Sequence, residues 1–144
     1  MNLRVLVAVD GSIHARRAVE HVLRLADAQC SIDLHLLTVQ IPVESGHIRQ
    51  FIQRDQLEAH YRDSGLDALR EVASLLDQRG QKHTAHIAVG HIAETITRYA
   101  SEMNFELIVI GTHGRTGLRH AAMGSVAQEV LKRATVPVTV VHNR

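Results

Sequence analysis

Three glycines and a serine in the second half of the chain have a spacing that suits a phosphate-binding turn. The pattern G-x2-G-x9-G-S places Gly111 directly after the apolar run LIVI and ends on Gly124 and Ser125. Such a run is typical of a strand buried on both faces, and the missing side chain at Gly111 leaves room for a phosphate to approach the backbone. Gly114 and Gly117 can adopt the positive φ angles that turn several main-chain N–H groups towards one anion. We therefore expect an anion-binding turn between a strand and a helix.

The helix after this turn adds further groups that attract phosphate. We expect Ser125 to cap a helix that starts near Val126, where unpaired N–H groups and the positive end of the helix dipole favour an anion. His113 and Arg115 lie within the turn, and either side chain could contact phosphate oxygens. The alternative is that both are solvent-exposed loop residues beside ordinary turn glycines.

Asp10 is the second candidate site residue, because it follows the first predicted strand. The apolar segment LRVLVAV ends at Val9, and Asp10-Gly11-Ser12 leads into a helix. Ligands of open α/β sheets bind at the carboxyl ends of the strands, which is where Asp10 should lie. We expect Asp10 to contact a ligand at this edge, either directly or through a magnesium ion. It could instead be a turn residue at the start of the helix.

Strand and helix patterns alternate along the whole chain, which predicts an α/β fold. Further strands are expected at 33–39, 84–89, 107–110 and 138–141, and the intervening helices carry apolar residues at three- to four-residue spacing. The predicted inward positions are Ala15, Ala18, Val19, Val22 and Leu25 in the first helix, Leu66, Leu69, Ala73 and Leu76 in the second, and Ile92, Ile96, Tyr99 and Met103 in the third. Right-handed crossovers then give one doubly wound open sheet of five parallel strands with helices on both faces, as a single domain over residues 1–144.

The segment before the second helix is less regular. Residues 42–65 carry mixed charge together with Phe51 and Tyr61. They could form a helical lid over the site or an exposed extension of the helix, and we favour the extension.

These landmarks resemble the ATP-binding branch of the universal stress protein family. The resemblance rests on the opening VLVAVDGS, the G-x2-G-x9-G-S spacing and the closing VPVTVV, and it covers nearly the whole chain. It implies the strand order 3-2-1-4-5, a bound adenine nucleotide (ATP, with AMP and cyclic AMP as alternatives) and the backbone of Val39 against the adenine. It also implies a homodimer paired through the final strand, residues 136–141 (Val136 to Val141). The predicted nucleotide-binding residues are Ala8, Asp10, Val39, Ile110, Gly111, His113, Gly114, Arg115, Gly124, Ser125 and Val126.

The composition limits the possible functions and location. There are 16 lysines and arginines against 15 acidic residues, so the chain lacks the positive field of a protein that grips nucleic acid. No apolar run approaches the roughly 20 residues of a membrane helix. The single cysteine, Cys30, and the lack of an apolar leader favour the cytoplasm. We therefore expect neither nucleic acid nor membrane as a partner, and other protein partners remain unidentified.

Eleven histidines suggest a metal site, but their spacing argues against one. His83 and His86 are three residues apart in a predicted strand and face opposite sides, and neither HExxH nor a cysteine cluster is present. The chain also has no GxxxxGK[ST] lysine and no evident general base, so we assign no catalytic residue. The sequence thus favours a nucleotide-responsive binding module of the stress response. A slow ATP hydrolase and a nucleotide-free dimeric scaffold are the alternatives.

Overall fold

A parallel sheet of five strands runs through the molecule, and its strands lie side by side in the order third, second, first, fourth and fifth along the chain. The computed structural model describes residues 2–43, 53–113 and 123–142. Its elements in chain order are β1 (Leu3–Ala8), α1 (Ile13–Asp27), β2 (Ile32–Gln40), α2 (Arg54–Gln78), β3 (His83–Val89), α3 (Ile92–Glu102), β4 (Leu107–Gly111), α4 (Ser125–Arg133) and β5 (Val138–Val141). The predicted fold class and strand order are confirmed.

The central strand β1 has a neighbour on each side. Val5 pairs in register with Leu34 of β2 and with Leu107 of β4, and both pairings are parallel. After β1 the chain builds β2 and β3 on one side and then returns to build β4 and β5 on the other. This reversal makes the carboxyl ends of β1 and β4 the point where open α/β sheets form a ligand crevice.

Two apolar layers cover the two faces of the sheet. Successive residues of a strand point to opposite faces, so Val5 and Val7 of β1 pack with α1 and α2 while Leu6 packs with α3 and α4. The strands read as continuous apolar runs because both faces are covered. No helix in the described ranges is long and apolar enough to span a bilayer.

Helix α2 is longer than predicted, and its buried face includes the predicted Leu69 and Leu76 but not Leu66 and Ala73. It begins at Arg54, so the described part of the segment before Gly65 is an extension of the helix, as favoured. The buried positions are Gly65, Ala68, Leu69, Val72 and Leu76, whereas Leu66 is 52% exposed and Ala73 is only partly buried. Gly65 causes the difference: a Cβ there would lie 2.6 Å from Cγ2 of Ile87, so the helix seats its glycine against β3.

A smaller difference concerns α1. The residue buried at the carboxyl end of its apolar face is Leu23, whereas the predicted Leu25 is only partly buried. The inward residues of α3 agree better with prediction, because Ile96 is buried and Ile92, Tyr99 and Met103 pack against the same apolar layer.

Candidate functional site

A crevice of about 660 Å³ opens at the carboxyl ends of β1, β2 and β4. Its size lies within the range typical of small-molecule sites. Every predicted nucleotide-binding residue that the structure describes lines it: Ala8, Asp10, Val39, Ile110, Gly111, His113, Gly124, Ser125 and Val126. Gly114, Gly117 and Arg115 lie outside the described residues.

Asp10 is held at the crevice by the start of α1. Its Oδ1 accepts a 2.9 Å hydrogen bond from the N–H of Ser12, and Oγ of Ser12 caps α1 by accepting one of 3.2 Å from the N–H of Ala15. The tight turn requires a left-handed residue, which Gly11 supplies with φ +84°. Asp10 therefore is a turn residue, and it also lines the crevice.

The absence of a side chain at Gly111 serves helix packing. A Cβ on Gly111 would lie 2.7 Å from the carbonyl oxygen of His14, in the first turn of α1. The backbone of α1 thus occupies the space that a side chain at Gly111 would need. The main chain of Gly111 nevertheless borders the crevice.

Gly124, which immediately precedes α4, determines where this helix begins. Its N–H donates a 2.6 Å hydrogen bond to the carbonyl of Thr112, and a Cβ would lie 2.9 Å from that same oxygen. The N-cap of α4 is Gly124, which has no side chain that could cap the helix. Ser125 is already the first helical residue. The predicted capping role of Ser125 is therefore wrong, because the chain enters the helix one residue earlier. The first turn of α4, with unpaired N–H groups and the positive end of the dipole, borders the crevice.

His113 brings an imidazole to the same border. Its Nδ1 lies 3.1 Å from Oγ1 of Thr112, and its ring centroid lies 5.4 Å from that of His14. A ring nitrogen at this position is suited to hydrogen-bond an anionic group bound at the start of α4.

The remaining wall combines apolar and polar side chains that the sequence analysis did not assign. Ile92 and Ile96 of α3 contribute apolar surface of the kind on which a planar base packs. On β2, the side-chain amide of Gln40 donates a 3.3 Å hydrogen bond to Oγ1 of the buried Thr38, and both residues line the crevice. Their signal in the sequence is the appearance of polar residues at the end of an apolar strand.

Two other possibilities for a site are weaker. A second cavity of about 520 Å³ lies between α1 and α2, but its charged side chains already form ion pairs with one another, as in Arg16 with Glu71 and Arg70 with Asp67. Within residues 2–43, 53–113 and 123–142, no group of three or more histidine, cysteine or acidic side chains could hold a metal ion. A magnesium ion at Asp10 would need most of its oxygen ligands from the nucleotide and water.

The fold and crevice define a doubly wound α/β domain with a ligand site at its switch point. Residues 1–142 match the model of the universal stress protein family, and the chain belongs to that family. It is 28% identical over 145 residues to universal stress protein MJ0531 of Methanocaldococcus jannaschii, covering 96% of this chain and 81% of that protein.

Solved structures give the same fold. The structure of MJ0577, from the same organism, superposes with a TM-score of 0.83 at 26% identity and covers 100% of this chain and 98% of its own. A universal stress protein solved in complex with cAMP has a TM-score of 0.72 at 24% identity, with 99% and 98% coverage. A family protein of Arabidopsis thaliana solved with AMP bound has a TM-score of 0.71 at 19% identity, with 99% and 92% coverage.

Proposed function

We propose that the crevice binds an adenine nucleotide, with ATP as the first candidate and AMP and cyclic AMP as alternatives. The observation that carries the proposal is the convergence of the first turn of α4, the carboxylate of Asp10 and an apolar wall in one crevice. A nucleotide needs these three environments for its phosphates, its ribose or metal, and its base. The AMP and cAMP complexes of proteins with this fold support the choice of adenine.

Each part of the nucleotide has a matching part of the crevice. The phosphates bind to the N–H groups at Ser125 and Val126 and to His113. Asp10 accepts hydrogen bonds from the ribose or, with a triphosphate, shares a magnesium ion with the phosphates. The base packs against Ile92 and Ile96 beside the backbone of Val39.

Binding that changes shape or partners is favoured over rapid turnover. Among the described residues that line the crevice there is no lysine, and Asp10 is the acidic one. Phosphoryl transfer requires cations on the transferring group and a positioned nucleophile. We therefore propose a nucleotide-responsive regulatory module of the stress response, with slow ATP hydrolysis as the alternative.

We propose that the protein is located in the cytoplasm. Its exposed free cysteine, Cys30, is consistent with that reducing compartment.

The module is proposed to act as a homodimer through β5. This strand pairs on one side with β4, where Val140 matches Ile110 in register, and it ends the sheet on the other side. Its four residues are valine and threonine and are all partly buried in the single chain. An uncharged β-branched edge is prone to pair with another strand, and antiparallel pairing with a second copy covers both edges at once.

The nucleotide proposal is tested by identifying what the protein holds. Mass spectrometry of purified, denatured protein should release an adenine nucleotide, and calorimetry of the emptied protein should show which of ATP, AMP and cyclic AMP binds most tightly. Asp10→Asn should weaken ATP binding in the presence of magnesium, because it removes the charge but keeps an oxygen for Ser12. The matched control is Asp27→Asn at the far end of α1, where the carboxylate pairs with Arg79. Failure of all three nucleotides to bind would reject the proposal.

A further inference from the structure

A connected group of ionisable side chains lies on the sheet face that carries α3. Asp33 and His35 follow one another on the same face of β2, and His86 stands beside them on β3. The Nε2 atom of His35 lies 3.1 Å from Oδ1 of Asp33, and its Nδ1 lies 2.8 Å from Nε2 of His86. The two imidazole rings are stacked, with centroids 5.1 Å apart and planes inclined by 12°. The sequence analysis considered His83 and His86 for a metal site and missed this pairing, which joins residues 51 positions apart.

The positions of the protons in this chain of hydrogen bonds follow from the chemistry of the partners. An ionised carboxylate only accepts hydrogen bonds, so Nε2 of His35 carries a proton and donates to Asp33. In a neutral His35 the other nitrogen, Nδ1, is then an acceptor, and His86 must donate to it. Adding one proton to Nδ1 of His35 preserves the bond if His86 changes tautomer and accepts. Adding a second proton leaves two donors facing each other, and the bond between the rings is lost.

The charges around the pair oppose that second proton. Arg4 of β1 pairs with Asp33 at 2.6 Å and stacks on the ring of Phe105, so the carboxylate is already neutralised by a cation. The backbone N–H of Arg4 is bound by Glu106, and from α3 the Tyr99 ring meets the His86 ring at a centroid distance of 5.8 Å. Burial, followed by the charges of His35 and Arg4, lowers the pKa of His86 below its ordinary value.

We propose that the His35–His86 pair is an acid-sensitive latch, which fastens the edge strand β3 to β2 and opens when both imidazoles are protonated. Strand β3 is placed to respond, because β2 is its only neighbouring strand in the described sheet. Neither histidine lines the crevice, although Leu37, which pairs in register with His86, does. The proposal does not rest on nucleotide binding. It gives the protein a response to acidification in addition to any response to a nucleotide.

The pH range follows from the direction of the pKa shift. An unfolded histidine titrates near pH 6.5, about the model-peptide value, whereas folded His86 titrates below it. Below about pH 6.5 the unfolded chain therefore binds more protons than the folded chain, and stability falls as the pH decreases. Above that range the latch is closed and its contribution is complete.

Urea unfolding and amide hydrogen exchange between pH 5 and 8 test the latch. In the wild type, the unfolding constant and the opening of residues 83–89 should increase towards pH 5, by up to about tenfold per pH unit for one proton. His86→Gln should remove most of this extra pH dependence. His83→Gln, on the same strand, should behave as wild type because the His83 ring bonds only to the main-chain carbonyl of Gln81 in the described contacts. Equal pH dependence in wild type and His86→Gln would overturn the proposal.

A measurement on the unaltered protein covers the case in which His86→Gln does not fold. Nuclear magnetic resonance titration of the histidine ring protons should show a midpoint for His86 below the ordinary histidine pKa of about 6.5. The protection of the β3 amides should fall with the same midpoint. The proposal would be overturned by a His86 titration midpoint at or above the ordinary value. It would also be overturned if the amide protection of β3 did not change around the His86 midpoint.

Discussion

Gly111 lies so close to the backbone of His14 that a Cβ on Gly111 would sit 2.7 Å from the His14 carbonyl oxygen and 2.9 Å from its carbon. The end of β4 and the first turn of α1 are thereby brought into direct contact. This contact influences the distance between Asp10, just before α1, and the end of β4. The geometry of the candidate site thus depends on Gly111 because of its packing against α1, whether or not Gly111 contacts a ligand.

Gly111→Ala should destabilise the protein by about 1–3 kcal/mol, because the added methyl group meets main-chain atoms that cannot move away alone. Urea unfolding would measure the loss. Gly80→Asn is a suitable control, since Gly80 has open space around it and asparagine tolerates its φ of +68°. A Gly111→Ala protein as stable as wild type would show that α1 can shift away from β4.

Ser12 and Ser125 form a second pair of contrasting variants. Ser12→Ala should cost about 1 kcal/mol of unfolding free energy, because it removes the cap bond to the N–H of Ala15. Ser125→Ala should change stability by less than about 0.5 kcal/mol, because Gly124 occupies the N-cap position of α4. If the Ser125 hydroxyl binds phosphate, its loss should weaken ATP more than adenosine in calorimetry. Equal losses for both ligands would leave the hydroxyl without a ligand role.

Two proline substitutions at neighbouring positions of β5 test the dimer. The carbonyls of Pro137 and Val141 accept bonds from Ile108 and Thr112, so by alternation Thr139 also faces β4 while Val140 directs its N–H to the open edge. Val140→Pro should therefore yield a folded monomer in sedimentation. Thr139→Pro should instead remove a bond between β4 and β5 and lower the melting temperature. A wild-type protein that sediments as a monomer at micromolar concentration would reject the dimer.

Hydrolysis of ATP should be absent or much slower than about 1 s⁻¹, the lower end for dedicated phosphoryl-transfer enzymes. Phosphate release should be followed with magnesium and with an excess of chelator. A magnesium-dependent rate at or above that value would make the protein an enzyme.

The sequence was informative wherever one element alone determines the pattern. Buried parallel strands are continuous apolar runs, so β1, β2 and β4 were predicted nearly to the residue. The buried face of α2 was predicted correctly at Leu69 and Leu76 but not at Leu66 and Ala73, because it also depends on the contact between Gly65 and Ile87, which lie far apart in the chain. The predicted capping role of Ser125 was wrong for a similar reason: the bond between Gly124 and Thr112 determines where α4 begins. Such contacts between distant residues leave no periodic signal in the sequence.

The hydrogen bond from Gly124 to Thr112 also has a consequence for protein engineering. It joins Thr112, just after β4, to Gly124, just before α4, through main-chain atoms alone. For a closed loop, doubling the length costs only about 0.6 kcal/mol of closure free energy. A foreign peptide grafted between Thr112 and Gly124 should therefore leave the sheet and helices intact while replacing the ligand specificity. We therefore expect the fold to accept different peptide segments at this one position.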